Sequence, residues 1–124
     1  MPAWSLLVFL LLAAVAQEGG VRRDPEPGIS QALALERTSR VSDVRYDLSL
    51  TVPRELNARI VGREILTFAL RDASTPLTLD FDPDASGRVL RIQADGASID
   101  SRPVNGHIVL AASALKVGAN RLVI

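Results

Sequence analysis

The sequence predicts a mostly β protein, an antiparallel β-sandwich or open sheet preceded by a signal peptide and a short helix. Three observations carry this prediction. An apolar run opens the chain, and strict alternation of apolar and polar residues starts near Val41. Turn residues then recur about every 8–12 positions, which is typical of all-β domains.

The first 16 residues are predicted to be a signal peptide. Residues 6–12 are an unbroken apolar run, and Ala14-Val15-Ala16 gives the small-x-small pattern of a cleavage site. No Lys or Arg precedes the run, so an uncleaved anchor is the alternative. The segment is, however, shorter than the roughly 20 residues that span a bilayer. We therefore expect export to a periplasm or the cell exterior, cleavage after Ala16, and no membrane span in the mature protein.

Two further segments precede the alternating region. Residues 17–28 contain two prolines among charged residues and are predicted to be a linker. Residues 30–38 are predicted to be a short amphipathic helix, because Ser30 can cap it and Ile29 and Leu33 fall on one face. A β-domain is then expected to occupy residues 29–124 together with this helix.

The alternating region predicts a series of short strands, with hairpin turns at Asp95-Gly96 and Asn105-Gly106. The predicted strands are residues 41–52, 59–70, 77–81, 88–94, a short strand through Ile99, 108–110 and 121–124. Residues 111–115 are predicted to be irregular or 3₁₀, and residues 118–120 to be a turn. The predicted core consists of Tyr46, Leu48, Leu50, Leu66, Phe68, Leu79 and Phe81. Because the last strand ends on apolar residues without a turn, the β-domain is expected to be truncated.

Composition excludes several function classes. Lys plus Arg and Asp plus Glu number 14 each, and aromatic residues make up 4%. The chain therefore has no excess of positive charge and few aromatic side chains for base stacking. Its composition does not favour nucleic acid as a partner. The chain has no cysteine, so disulfides, thiolate metal sites and a cysteine nucleophile are excluded.

The residues that carry hydrolytic or metal chemistry are also few. His107 is the single histidine, so an H-E-x-x-H zinc site cannot form within the chain. A Ser-His-Asp triad would have to use His107, which is expected in a water-facing hairpin corner with a structural role. Asp80, Asp82 and Asp84 have the spacing that begins a Ca²⁺ loop, but a proline intervenes and Arg91 stands at the twelfth position. They are interpreted as surface carboxylates, and no catalytic, cofactor-binding or metal-ligating residue is assigned.

Several segments together resemble the amino-terminal domain of the aminopeptidase N family of zinc peptidases. Residues 44–50 are similar to its V-x-Y-D-L-x-L strand, and residues 62–68 to its G-x-x-x-I-x-F strand. Asp95-Gly96 stands where the family often has Asn-Gly. Further similar segments are residues 77–81 (L-x-L-D-F), 115–124 (L-x-x-G-x-N-x-V-x-I) and the leader at 29–37. The resemblance covers residues 29–124, and the segments follow the family's order.

This resemblance implies a saddle-like β-domain that packs on a thermolysin-like catalytic domain. The family's G-x-M-E-N and H-E-x-x-H motifs lie downstream of the similar segments, and this chain contains neither. The chain itself is therefore expected to be inactive and to hold no cofactor, whereas zinc is implied for its full-length parent. The implied partners are its own downstream catalytic domain and the parent's peptide substrates. The alternatives are a free-standing secreted sandwich that binds a carbohydrate or protein, and a scaffold module without a ligand.

Overall fold

The computed structural model describes residues 23–81, 88–89 and 91–124, so the predicted signal peptide lies outside the described residues. The described part has one α-helix, α1 (Gln31–Arg40), and a 3₁₀ turn at Ala112–Ala114. Its strands are β1 (Val41–Thr51), β2 (Val61–Leu70), β3 (Leu77–Asp80), β4 (Gln93–Ala94), β5 (Ala97–Ser98), β6 (Ser101–Val104), β7 (His107–Leu110) and β8 (Gly118–Val123). The prediction of a mostly β fold is confirmed. No helix in the described part is long and apolar enough to cross a membrane.

The strands form two antiparallel sheets that share one core. The larger sheet has the order β1-β2-β8-β4-β5, and the smaller has the order β3-β7-β6. Buried side chains from both sheets form a single cluster, which consists of Leu66, Phe68, Leu70, Leu77, Ile92, Ile108, Leu110 and Leu122. Burial of each such side chain contributes about 1.5–3 kcal/mol, so this cluster is the main source of stability.

β1 and β2 form the longest antiparallel pair, and a β-bulge interrupts it. Val41 pairs with Leu70 and Tyr46 with Leu66. The register shifts between these two pairs, where Asp43 has a φ of 54°. Paired residues share a face, so the extra residue of the bulge places Val41 and Tyr46 on the same, core-facing side of the sheet.

Part of the predicted core is wrong. Leu66 and Phe68 are buried, and Leu79 and Phe81 are half-buried against them. Tyr46, Leu48 and Leu50, in contrast, are 69%, 59% and 59% exposed. The alternation correctly indicates their common face, but β1 is the edge strand of the larger sheet and no strand of the described smaller sheet covers it.

The helix begins as predicted and ends two residues later than predicted. The hydroxyl of Ser30 accepts a hydrogen bond from the Leu33 amide at 3.2 Å, which satisfies one of the free N–H groups of the first turn. The expected apolar contact of this helix is mostly wrong, because Ile29 is exposed and Leu33 only half-buried. The buried residue of α1 is Arg40, whose guanidinium donates to loop carbonyls.

Both predicted hairpin turns are confirmed. Asp95 and Gly96 have φ angles of 48° and 85°, and Asn105 and Gly106 have 50° and 81°. Two positive φ angles in sequence are those of a type I′ turn, which matches the twist of antiparallel strands. The first turn joins β4 to β5, and the second joins β6 to β7. β6 itself was not predicted, and its Pro103 is tolerated because β6 lies at a sheet edge.

Two predicted elements differ from the structure by more than two residues. Regular strand structure in residues 88–94 is limited to Gln93–Ala94, with Leu90 outside the described part. Residues 118–120, predicted as a turn, belong to β8. The side chain of Asn120 is buried and forms the turn before β8, because it accepts from the Lys116 amide and donates to the Lys116 carbonyl.

Candidate functional site

A row of apolar side chains on β1 and just beyond it lies open to solvent. We call it the β1 apolar row; it consists of Val44, Tyr46, Leu48, Leu50 and Val52. All of these residues are more than a third exposed. Contiguous apolar surface of this kind on a soluble protein marks an interaction site or an aggregation risk. The row is therefore the most prominent candidate interaction surface among the described residues.

The row continues inward into a cleft between the two sheets. The cleft has a volume of about 370 Å³ and opens beside β1 and α1. Arg37, Glu64 and Asp80 supply charged groups to its lining. Its apolar lining includes Val44, Tyr46, Phe68, Leu79, Phe81 and Ile124. An apolar floor with a few polar groups at the edge is the usual composition of a binding cleft.

A charged network closes one side of this cleft and joins α1 to both β3 and β7. Arg37 donates from its two terminal guanidinium nitrogens to the two Asp80 oxygens, at 2.6 and 2.7 Å. The Asp80 Oδ1 also lies 3.0 Å from Nδ1 of His107. The Arg37 guanidinium lowers the pKa of Asp80 below its ordinary value; partial burial opposes this shift, and the His107 hydrogen bond adds to it.

His107 is not in the water-facing position that was expected, because its side chain is only 2% exposed. Its Nδ1 faces Asp80 and its Nε2 lies 3.0 Å from the backbone carbonyl of Glu26. A catalytic histidine needs a free ring nitrogen within reach of a nucleophile or substrate. Since backbone occupies Nε2, the His107–Asp80 pair is suited to holding structure together.

The segment before α1 is fastened to the β6–β7 hairpin by three contacts, which the linker prediction did not anticipate. Asp24 forms an ion pair with Arg102 at 2.7 Å. The Asn105 side-chain amide donates to the Pro25 carbonyl at 3.0 Å, and His107 contacts the Glu26 carbonyl. We call residues 23–28 the strap. Its contacts join positions about 80 apart in the chain, so local sequence patterns give no signal for them.

The described residues contain no group of three or more His, Cys, Asp or Glu side chains placed to hold a metal ion. Of the three acidic residues with Ca²⁺-loop spacing, Asp82 and Asp84 lie outside the described part. Asp80 is a surface carboxylate as expected, but Arg37 and His107 already occupy its oxygens.

No family model, curated protein or solved structure matches this chain. A proposal about its function is therefore based on the β1 apolar row, the cleft and the sequence segments themselves.

Proposed function

We propose that the chain is the non-catalytic amino-terminal β-domain of an exported zinc-dependent aminopeptidase. In this role it packs on a catalytic domain that removes amino-terminal residues from peptides. The observation that carries the proposal is the β1 apolar row, because a sheet face left this exposed is suited to being covered by another protein body. The similar segments within residues 29–124, which follow the order of the aminopeptidase N family, support a peptidase catalytic domain as that body.

The geometry of β1 favours a packing role over catalysis. β1 is an edge strand, so it offers unpaired backbone groups beside its exposed apolar side chains. Its other face carries Arg45, Asp47 and Ser49, which suit contact with water. The apolar face of β1 is therefore suited to packing against another protein. The single histidine, in contrast, is engaged in structural contacts.

The gene sequence after codon 124 is the first test of this proposal. We expect an open reading frame that encodes G-x-M-E-N and then H-E-x-x-H. A stop codon at this point, with a soluble folded product, would contradict the proposal. In a direct assay with an aminoacyl chromogenic substrate and Zn²⁺, the chain alone is expected to show no turnover. Activity that a chelator abolishes would show that catalytic groups are present after all.

A binding experiment tests the surface itself. The polypeptide encoded downstream is expressed separately and mixed with the chain, and binding is measured by calorimetry. Leu48→Ser is expected to weaken binding by at least about tenfold, because burial of a leucine contributes about 1.5–3 kcal/mol. Arg45→Ser, on the opposite face of the same strand, is the matched control. Equal effects of the two substitutions would rule out the β1 apolar row as the contact.

A second candidate function is a free-standing module that binds a carbohydrate or a protein. Tyr46 favours it, since this ring is 69% exposed and lines the apolar cleft. Aromatic side chains on an open face are the usual contact residues of such modules. Glycan-array binding that Tyr46→Ala abolishes would favour this candidate over a packing domain.

A further inference from the structure

The contacts of His107 require a particular protonation state. Both partners of the ring are acceptors: the Asp80 carboxylate at Nδ1 and the Glu26 carbonyl at Nε2, each at 3.0 Å. Asp80 cannot serve as a donor, because Arg37 contacts both of its oxygens and keeps it ionised. A neutral imidazole has one N–H, whereas the imidazolium has two. Only the charged ring therefore makes both hydrogen bonds.

We propose that the contact between His107 and the strap depends on pH. His107 holds the strap on β7 while its ring is doubly protonated and releases the strap when one ring proton is lost. The Nδ1 proton is retained longer, since its acceptor is a carboxylate. The Nε2 proton leaves, and a lone pair of the ring, which is only 2% exposed, then faces a lone pair of the Glu26 carbonyl. The carbonyl of Glu26 regains a donor when the strap moves away from the ring into solvent.

The other charged groups around this site do not replace the lost contact. Arg37 on α1 is engaged with Asp80, and Arg102 on β6 pairs with Asp24 of the strap. The Asp24–Arg102 pair is about half exposed, so it contributes little to holding the strap. The remaining strap contact, from Asn105 to the Pro25 carbonyl, involves no titratable group. His107 is thus the group whose proton decides the state of the strap.

Nuclear magnetic resonance on the full chain tests the proposal, and the single histidine makes its ring signals unambiguous. Ring ¹⁵N shifts report the protonation state from pH 5 to 10. Carbon-13 relaxation of the Pro25 and Gly28 α-carbons reports strap order over the same range. We expect the order parameter to fall from about 0.85 to below about 0.6 in the same pH interval in which the ring loses its proton. Methyl signals of Ile108 and Leu110 should stay unchanged, since release is local.

Two variants distinguish the role of His107 from that of the neighbouring Asp24–Arg102 ion pair. His107→Phe removes both donors, and its strap is expected to be disordered at every pH. Asp24→Asn removes the neighbouring ion pair, stays clear of the core, and is expected to keep the pH dependence with an unchanged midpoint. A ring that loses its proton while the strap stays ordered would overturn the proposal. So would a strap whose order changes while the ring charge does not, or a ring that stays charged with the strap ordered up to pH 10.

Discussion

Phe68 and Tyr46 show at the residue scale how two aromatic side chains on one sheet face come to different environments. Tyr46 pairs with Leu66, and Phe68 follows Leu66 by two positions, so all three point toward the smaller sheet. Phe68 lies on a central strand and is buried, whereas Tyr46 lies on the edge strand and is exposed. Position across the sheet, and not residue type, decides what each ring contributes.

A pair of substitutions checks this difference. Phe68→Ala is expected to lower the free energy of unfolding by roughly 3–5 kcal/mol, since it leaves a cavity in the core. Tyr46→Ala is expected to change it by no more than about 0.5 kcal/mol, as is usual for exposed positions. Urea denaturation of both variants gives these values. Similar losses for the two variants would mean that the β1 apolar row is buried in solution.

Asp80 gives a second prediction at this scale, in the acid range. Its pKa is lowered in the fold, first by the Arg37 hydrogen bonds. A lowered carboxyl pKa contributes stability above the unfolded value of 3.8 and loses it as the pH falls through the lower, folded value. The urea midpoints of the wild type and Asp80→Asn should therefore differ most at neutral pH and converge below pH 3.8. A gap between the two midpoints that stays constant into the acid range would contradict this linkage.

The contacts among Arg37, Asp80 and His107 could not be predicted from the sequence, for a physical reason. Alternation indicates which face of a strand a side chain occupies, but not which side chain from another element lies opposite. Asp80 and His107 meet because β3 pairs with β7, and their register places these two residues side by side. Asp80 and His107 are 27 positions apart in the chain, so no local sequence pattern predicts that they pair.

At the scale of elements, Arg40 joins the end of α1 to the loop that connects the two sheets. Its guanidinium donates to the carbonyls of Asp72, Thr75 and Pro76 at 3.1, 3.0 and 3.3 Å, and it pairs with Glu36. These carbonyls lie between β2 and β3, where the chain crosses from the larger sheet to the smaller. One side chain thus fixes both the helix and the crossing.

Arg40→Met tests this role, because methionine keeps the apolar stem and removes every donor. The variant is expected to lose roughly 1–3 kcal/mol of unfolding free energy, since three loop carbonyls lose hydrogen bonds from a charged donor. Arg45→Met is the matched control on the exposed face of β1 and should lie within about 0.5 kcal/mol of the wild type. The urea midpoints of both variants are compared with that of the wild type. An Arg40→Met midpoint equal to that of the wild type would show that water satisfies the loop carbonyls.

The elements that local chemistry determines were the predictable ones. The Ser30 cap and the two hairpin turns depend on residues within four positions, and each is present as expected. β6 is a local exception: Pro103 weakens the strand pattern, yet β6 pairs with the adjacent β7 at a sheet edge, where proline is tolerated. Features that depend on distant partners were not predictable. The apolar face expected for α1 is absent, and its buried residue is an arginine whose acceptors lie more than 30 positions away.

At the scale of the whole molecule, the larger sheet extends past the smaller one. The smaller sheet covers β2, β8 and part of β4, while the apolar side of β1 remains open. The chain therefore has a core and an exposed apolar surface beside it. Solution behaviour should follow from this surface.

Self-association of the chain is the corresponding prediction. Sedimentation velocity is expected to show weak association that rises with concentration, because an edge strand and an apolar row lie together. Leu48→Lys should return the chain to a monomer. Ser49→Lys adds the same charge on the opposite face and should leave association unchanged. A monomer at every concentration, or equal effects of both lysines, would refute the expectation.

The bulge at Asp43 sets the polarity of this entire surface. One surplus residue there changes which positions of β1 are inside, from odd numbers before it to even numbers after it. Deleting Asp43 would remove the bulge and leave Tyr46 opposite Leu66, so the β1 apolar row would keep its side. A regular ladder that retained Asp43 and the pairing of residues 41 and 42 would instead place Arg45 opposite Leu66 and turn the remainder of the strand over. Arg45, Asp47 and Ser49 would then line the cleft, and Tyr46, Leu48 and Leu50 would look outward to the solvent. One step of register at the bulge thus decides whether this face of β1 presents apolar or polar side chains to the cleft.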